Sequence, residues 1–126
     1  MPRLSFFLTA ILATNFALAD EDHPFAVEPV AEFDQPWAMA FLPDGRLLVT
    51  EKPGRLFLVS EDGSKTEVSG VPDVDYGGQG GLGDVALHPE FEQNGLLYLS
   101  YVEAGENGTR GAAVAVAKLD ATSRQA

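Results

Sequence analysis

The chain has 126 residues, 45% of them hydrophobic, which is typical of a globular protein and not of a disordered tail. Its 19 acidic residues outnumber 8 Lys and Arg, and the net charge of -11 argues against a nucleic-acid partner because phosphate binding needs a basic surface. The absence of cysteine from the sequence excludes a disulfide framework and a thiolate metal or redox site.

The N-terminus has the features of a secretory signal peptide. Arg3 supplies a short positive region, residues 4–13 are mostly apolar, and residues 17–19 form a small-x-small cleavage signature that acidic residues follow at once. A membrane anchor is the alternative, but a spanning helix needs about 20 continuous apolar residues, and polar Thr and Asn residues interrupt this stretch. We therefore predict that residues 1–19 are a signal peptide and that the mature chain is exported, to the periplasm or outside the cell.

Short apolar runs separated by turn signals follow a predicted extended lead-in at residues 20–34. Four such runs fit between Trp37 and Val68, and Pro-Asp-Gly and Lys-Pro-Gly sequences separate the first three. In these turns Pro presets φ and Gly supplies positive φ. The run at residues 56–59 is apolar on both faces, so the predicted sheet is covered on both sides, as a blade of a β-propeller is.

The second half of the chain repeats this layout. Pro89 takes the position of Pro43 at an offset of 46 residues, close to the roughly 40 to 50 residues of one four-stranded blade. The run at residues 95–100 corresponds to residues 45–50, and residues 112–119 are predicted to form the third strand of the second blade. Because no helical period extends over ten or more positions of the mature region, we predict an all-β fold.

A glycine-rich segment at residues 76–84 is the most distinctive part of the sequence. It contains Gly78-x-Gly80-x-x-Gly83, but this dinucleotide fingerprint requires a following helix, and here the sequence continues as a strand. Its glycines allow unusual dihedral angles and close approach, while Gln79 offers two donors and one acceptor to a sugar hydroxyl or a quinone carbonyl. The alternative is a tight crossover between blades in which Gln79 only satisfies backbone groups.

Three segments together resemble the opening of the glucose/sorbosone dehydrogenase family, and the resemblance extends over residues 35–120. They are residues 36–51, 53–56 and 78–91, and the Gly-Gln-Gly-Gly-Leu sequence is the most specific of their motifs. The resemblance implies a six-bladed β-propeller. This chain would hold about the first blade and part of the second, in a truncated propeller domain at residues 35–126.

The resemblance also implies a function. Members of the family bind pyrroloquinoline quinone (PQQ) and calcium, and they oxidise aldose sugars at the anomeric carbon by hydride transfer to PQQ, with a histidine as the base. The family's loop glutamine lies in the substrate pocket and maps onto Gln79. The catalytic Asp-His pair, the cofactor-binding residues and the calcium ligands come from later blades and map onto no residue here, so the 126-residue chain alone is predicted to be inactive.

Other candidate residues are interpreted as structural. Neither His23, in the lead-in, nor His88, in a His-Pro turn, is interpreted as the catalytic base. Trp37 is interpreted as an aromatic residue that packs between blades. Arg46 and Arg55 are interpreted as lying at solvent-facing strand edges. Asp84 is interpreted as forming a hydrogen bond to the glycine-rich segment.

Two alternatives to the enzyme are open. A propeller that has lost its chemistry can serve as a non-catalytic binding module, because a fold does not fix function. The other alternative is a complete small β-domain with a structural role.

Since fewer than about three repeats seldom stabilise a propeller, we expect the isolated chain to be marginally stable, with exposed blade faces and unpaired strand edges.

Overall fold

A computed structural model describes residues 24–120, so the predicted signal peptide, His23 and the last six residues lie outside the described part. Two antiparallel sheets follow one another along the chain. The first has the strand order β1 (Pro36–Phe41), β2 (Leu47–Glu51), β3 (Arg55–Val59), β4 (Lys65–Glu67). The second has the order β5 (Leu82–Leu87), β6 (Leu96–Ala104), β7 (Arg110–Lys118). The all-β prediction is confirmed. Within residues 24–120, no helix has the length and apolar character needed to cross a membrane.

The second sheet repeats the register of the first. Three β1–β2 pairs define that register: Met39 with Val49, Ala40 with Leu48, Phe41 with Leu47. The equivalent β5–β6 pairs are Val85 with Leu99, Ala86 with Tyr98, Leu87 with Leu97. The first strands are therefore offset by 46 residues, as predicted, and the second strands by 50. A shift in strand pairing also occurs at equivalent positions in the two sheets, between Pro36 and Met39 and between Leu82 and Val85.

A short helix accounts for the difference between the two offsets. Helix α1 (Phe91–Asn94) has four residues and lies in the hairpin between β5 and β6. It ends at Gly95, which has a φ of 66° and donates its N–H to the carbonyl of Phe91 at 2.7 Å. The sequence analysis predicted no helix here, because one turn is too short to show a helical period.

The main hydrophobic core lies between the two sheets. Its buried members come from both of them: Leu42, Leu48, Leu56, Leu82, Val85, Leu97, Leu99. A polar connection accompanies this packing, because the buried Thr50 hydroxyl accepts the N–H of Ala38 at 3.0 Å and donates to the carbonyl of Gly83 at 2.8 Å. Ser100 holds the equivalent position in the second sheet, where its hydroxyl accepts the N–H of Asp84 at 2.8 Å.

A smaller core covers the opposite face of the first sheet. Val49, Phe57 and Val59 are buried there against Phe33 of the lead-in, whose ring meets that of Phe57 edge-on with 6.2 Å between centroids. The prediction of apolar burial on both faces of this sheet is therefore confirmed for β2 and β3.

The interpretation of Trp37 as packing between blades stays a prediction, because this residue is 55% exposed in the described part of the chain. The alternation of β1 places Trp37, Met39 and Phe41 on the face turned away from the second sheet, and the lead-in leaves this part of the face exposed. Val114 and Val116 are exposed on β7 in the same way. The expectation of exposed blade faces is confirmed.

A buried carboxylate fixes the lead-in to the first sheet. The side chain of Glu51 is 2% exposed, and its Oε1 accepts the N–H of Asp34 at 2.7 Å. Its Oε2 lies 2.7 Å from Nη2 of Arg55 without hydrogen-bond geometry, so this attraction is coulombic. Arg55 is thus solvent-facing, as predicted, but it also neutralises a buried charge, which is costly to leave unpaired.

Arg46 forms an ion pair with Asp44 in the first hairpin. Its Nε donates to Oδ2 of Asp44 at 2.8 Å, and this side-chain hydrogen bond is the main reason why the pKa of Asp44 lies below its usual value. We expect Arg46→Ala to raise the pKa of Asp44 toward 3.8, measured by NMR titration of the carboxyl group. A lowered folded-state pKa stabilises the fold above the unfolded-state pKa. The stability difference between the two proteins should therefore shrink as the pH falls through the folded-state pKa.

Asp62 is the internal control for this titration. Its pKa is lowered mainly by the backbone N–H of Ser64, so it should stay the same in Arg46→Ala. An unchanged pKa of Asp44 would contradict the account.

Candidate functional site

The glycine loop, defined here as residues 76–81, lies where β2 ends and β5 begins. Both sheets hold its backbone. The N–H of Leu82 donates to the carbonyl of Lys52 in the first sheet at 2.9 Å, and the N–H of Val102 in the second sheet donates to the carbonyl of Gly81 at 2.9 Å. The loop is thus fixed at the junction between the two sheets.

Two positions in the loop require glycine because of close approach. A Cβ atom at Gly81 would overlap the carbonyl oxygen of Lys52, and the φ of Gly81 is 118°, which a side chain disfavours. A Cβ atom at Gly80 would overlap the guanidinium of Arg110 and also lie 2.8 Å from the backbone carbonyl oxygen of Asp75, which cannot swing away as a side chain can. The close approach predicted from the glycines is therefore present, and the approaching groups belong to the chain itself.

Gln79 is the residue that projects from this loop. A turn forms around it, in which the N–H of Gly80 donates to the carbonyl of Gly77 at 2.8 Å. The Gln79 side chain is exposed and makes no hydrogen bond to any residue from 24 to 120. It lines an open recess of about 350 Å³ together with Val102 and Arg110. The alternative in which Gln79 satisfies backbone groups therefore does not hold within the described part of the chain.

Two basic residues that the sequence analysis did not single out for the site contact the glycine loop. Nζ of Lys52 donates to the carbonyl of Gly78 at 2.8 Å. Nη2 of Arg110 donates to the carbonyls of Asp75 at 2.8 Å and Gly77 at 3.3 Å, and its Nε lies 3.3 Å from the Asp75 carboxylate. No local motif assigns either residue to the site, although Lys52 begins the Lys-Pro-Gly turn. Only the register of β6 with β7 brings Arg110 back beside the loop.

His88 lies apart from the loop, in the turn after β5 in which the sequence places it. It follows the end of β5, whereas the loop precedes the start of that strand. Its Nδ1 accepts the N–H of Glu90 at 3.0 Å, lies 2.9 Å from Nδ2 of Asn94, and therefore stabilises the turn before α1. The structural interpretation of His88 is confirmed.

The prediction that Asp84 bonds to the glycine loop is wrong. Its Oδ1 accepts the N–H of Val85 at 2.9 Å, and its own N–H donates to Ser100. The irregularity in pairing between Leu82 and Val85 is the reason, because it lets this side chain fold back onto its own strand.

The described residues do not fit a calcium site. Calcium takes six to eight oxygen ligands, usually with several carboxylates. Between residues 24 and 120, no group of three or more Asp, Glu or His side chains is arranged to hold a metal ion. Within the described residues, the candidate site thus offers the Gln79 amide on a fixed loop, beside the Arg110 guanidinium.

The sequence model of the family described as Glucose / Sorbosone dehydrogenase matches residues 33–126. Aldose sugar dehydrogenase YliI of Escherichia coli strain K12 is 42% identical over 122 residues, which are 94% of this chain and 33% of that protein. Quinoprotein glucose dehydrogenase B of Acinetobacter calcoaceticus is 35% identical over 91 residues, 69% of this chain and 19% of that protein. The chain thus spans about a third or less of the length of these relatives.

Solved structures agree with this match. The soluble aldose sugar dehydrogenase of Escherichia coli in the apo form has a TM-score of 0.67 and 44% identity, over 70% of this chain and 26% of that one. The PQQ-bound aldose sugar dehydrogenase of Streptomyces coelicolor has a TM-score of 0.59 and 30% identity, over 70% and 26%. The chain therefore belongs to the glucose/sorbosone dehydrogenase family, and its two antiparallel sheets, called the first and second blades below, match part of the propeller of these relatives.

Proposed function

We propose that this chain is the N-terminal part of an exported oxidoreductase that oxidises aldose sugars at the anomeric carbon with PQQ as the hydride acceptor. One observation carries the proposal: the loop that bears Gln79 is fixed by both blades, while the Gln79 amide is exposed and unpaired within residues 24–120. The Escherichia coli relative is named for aldose sugars, and the Streptomyces coelicolor structure contains PQQ.

The Gln79 amide suits both molecules. Its NH₂ group can donate to a sugar hydroxyl or to a quinone carbonyl, and its oxygen can accept from a sugar hydroxyl. PQQ, when bound, supplies the electron-accepting chemistry. The contribution of Gln79 is to bind and orient the sugar relative to PQQ. Holding the reacting carbon in place removes part of the entropic barrier.

The proton at the anomeric hydroxyl needs a base from another part of the protein. His88 does not serve, because it lies beyond the far end of β5, about 20 Å from the glycine loop at the rise of an extended strand. We propose that the catalytic histidine, the groups that bind PQQ and the calcium ligands lie in later blades. On this proposal, the 126-residue chain alone is inactive.

Reconstitution of the whole protein with PQQ, with and without calcium, tests the proposed activity. We expect aldose-dependent reduction of an electron-accepting dye that requires PQQ. Sugar binding in a calorimeter without oxidation would instead favour the non-catalytic binding module. A protein that neither binds nor oxidises any aldose would rule out both functions.

The predicted signal peptide gives a separate prediction about localisation. We propose that residues 1–19 direct export and that the mature protein begins at Asp20. Mass spectrometry of the protein from the periplasm or the culture medium should show Asp20 as the first residue. Recovery of protein that retains residues 1–19 in the cytoplasm would contradict export.

Replacing Gln79 with alanine is expected to lower kcat/KM for aldoses by about ten- to a hundredfold, because one hydrogen-bonding group to the sugar or PQQ is lost. The melting temperature should stay the same, since the side chain has no partner in the described chain. Gln93→Ala on the exposed surface of α1 is the matched control and should leave kcat/KM unchanged. If Gln79→Ala and Gln93→Ala had the same kcat/KM, the assignment of Gln79 to the site would be wrong.

A further inference from the structure

The glycine loop is held by two cations that come from different blades. Lys52 follows β2 of the first blade, and Arg110 begins β7 of the second. Their donors engage three backbone carbonyls in the four residues before Gln79, namely those of Asp75, Gly77 and Gly78. The Lys52 ammonium also lies 5.4 Å from the ring centroid of Trp37. Hydrogen bonds from both blades thus hold the loop in place.

A glycine-rich loop needs stabilising interactions of this kind to be ordered. Glycine has more backbone freedom than any other residue, so a glycine-rich segment loses the most entropy when it is ordered. Hydrogen bonds from charged donors are stronger than those between neutral groups, and the fork of Arg110 can hold two carbonyls at once. Both cations direct their donors at the backbone, which leaves the Gln79 side chain exposed.

We propose that Lys52 and Arg110 are positioning residues that hold the Gln79 side chain in the direction in which it meets the sugar. This role rests on the proposed function of Gln79. It assigns the binding geometry to these two cations, which form a clamp across the interface between two blades, so an altered interface changes sugar affinity through the position of Gln79.

Hydrogen exchange of the whole protein tests the clamp without any need for activity. In Arg110→Ala and in Lys52→Met, we expect the amide of Gly80 to exchange about tenfold faster, because the carbonyls of the turn lose a charged donor. Amides between β5 and β6 should keep their rates. Lys118→Ala, which removes the same charge from the far end of β7, is the matched control and should leave Gly80 unchanged. Unchanged exchange at Gly80 in both clamp variants would overturn the proposal.

Kinetics separates a positioning role from general structural support. Arg110→Ala should raise KM for the aldose without lowering the melting temperature, and Arg110→Lys should restore part of the affinity because it keeps one charged donor. In the Gln79→Ala background, Arg110→Ala should have no further effect on KM. Additive effects would overturn the positioning role. Faster exchange at Gly80 in a protein that oxidises no aldose would contradict the proposed function and leave the clamp itself in place.

Discussion

Replacing Gly81 with alanine is expected to lower the free energy of unfolding by about 3 kcal/mol or more. The φ of Gly81 is 118°, and the new Cβ atom would overlap the carbonyl oxygen of Lys52. This carbonyl cannot move freely, because it accepts the N–H of Leu82 at 2.9 Å and so joins the two blades. Urea denaturation of the two proteins measures the loss.

Gly70→Ala is the control for this change. Gly70 also has a positive φ, 81°, but a Cβ atom there would meet nothing within 4 Å. The expected loss is about 1 kcal/mol, which is the cost of the backbone conformation alone. If both variants lost the same stability, the close approach at Gly81 would not matter to folding.

Leu48→Ala is expected to destabilise the protein by about 3 to 5 kcal/mol, because it opens a cavity in a core with little room to collapse. Leu48 is 0% exposed and belongs to the cluster that both sheets share. We therefore expect the two blades to lose stability together, in one transition at a lower temperature. Calorimetry and circular dichroism should report the same midpoint.

Leu48→Met keeps the volume of the side chain and provides the comparison. Its expected cost is less than about 1.5 kcal/mol. Two separate transitions in Leu48→Ala, of which only one moves, would show that the blades fold independently and would contradict a shared core.

The strands and their repeat could be predicted from the sequence because their signals are local. The turn at residues 43–45 contains Pro, Asp and Gly, and the same order of turn and apolar run returns at residues 89–99. The two irregular pairings then recur at equivalent positions in the structure. Helix α1 was missed because it occupies a single turn.

The contacts of the site could not be predicted because they join residues that are distant in sequence. Arg110 reaches Asp75 and Gly77 only through the register of β6 with β7. In the same way, nothing near Glu51 in the sequence shows that the backbone of Asp34 donates to its buried carboxylate. Gln79 was found because its glycine neighbours mark a loop, and the resemblance to the family supplied its role.

The exposed faces agree with a part of a larger propeller. Trp37 and Met39 on the first blade and Val114 and Val116 on the second are large apolar side chains that the described residues leave exposed. In a propeller each blade packs against two neighbours, and this chain spans about a third of the length of its Escherichia coli relative. These faces are where we expect the remaining blades to pack.

The central claim is that the Gln79 loop forms part of a sugar-oxidising site, and a crystal structure of the whole protein with PQQ and an aldose tests it most directly. The account predicts that the Gln79 amide lies within about 2.6 to 3.2 Å of a sugar hydroxyl or a quinone carbonyl. It also predicts that Lys52 and Arg110 still bind the loop carbonyls. A Gln79 side chain that points into bulk solvent, away from both molecules, would contradict the account.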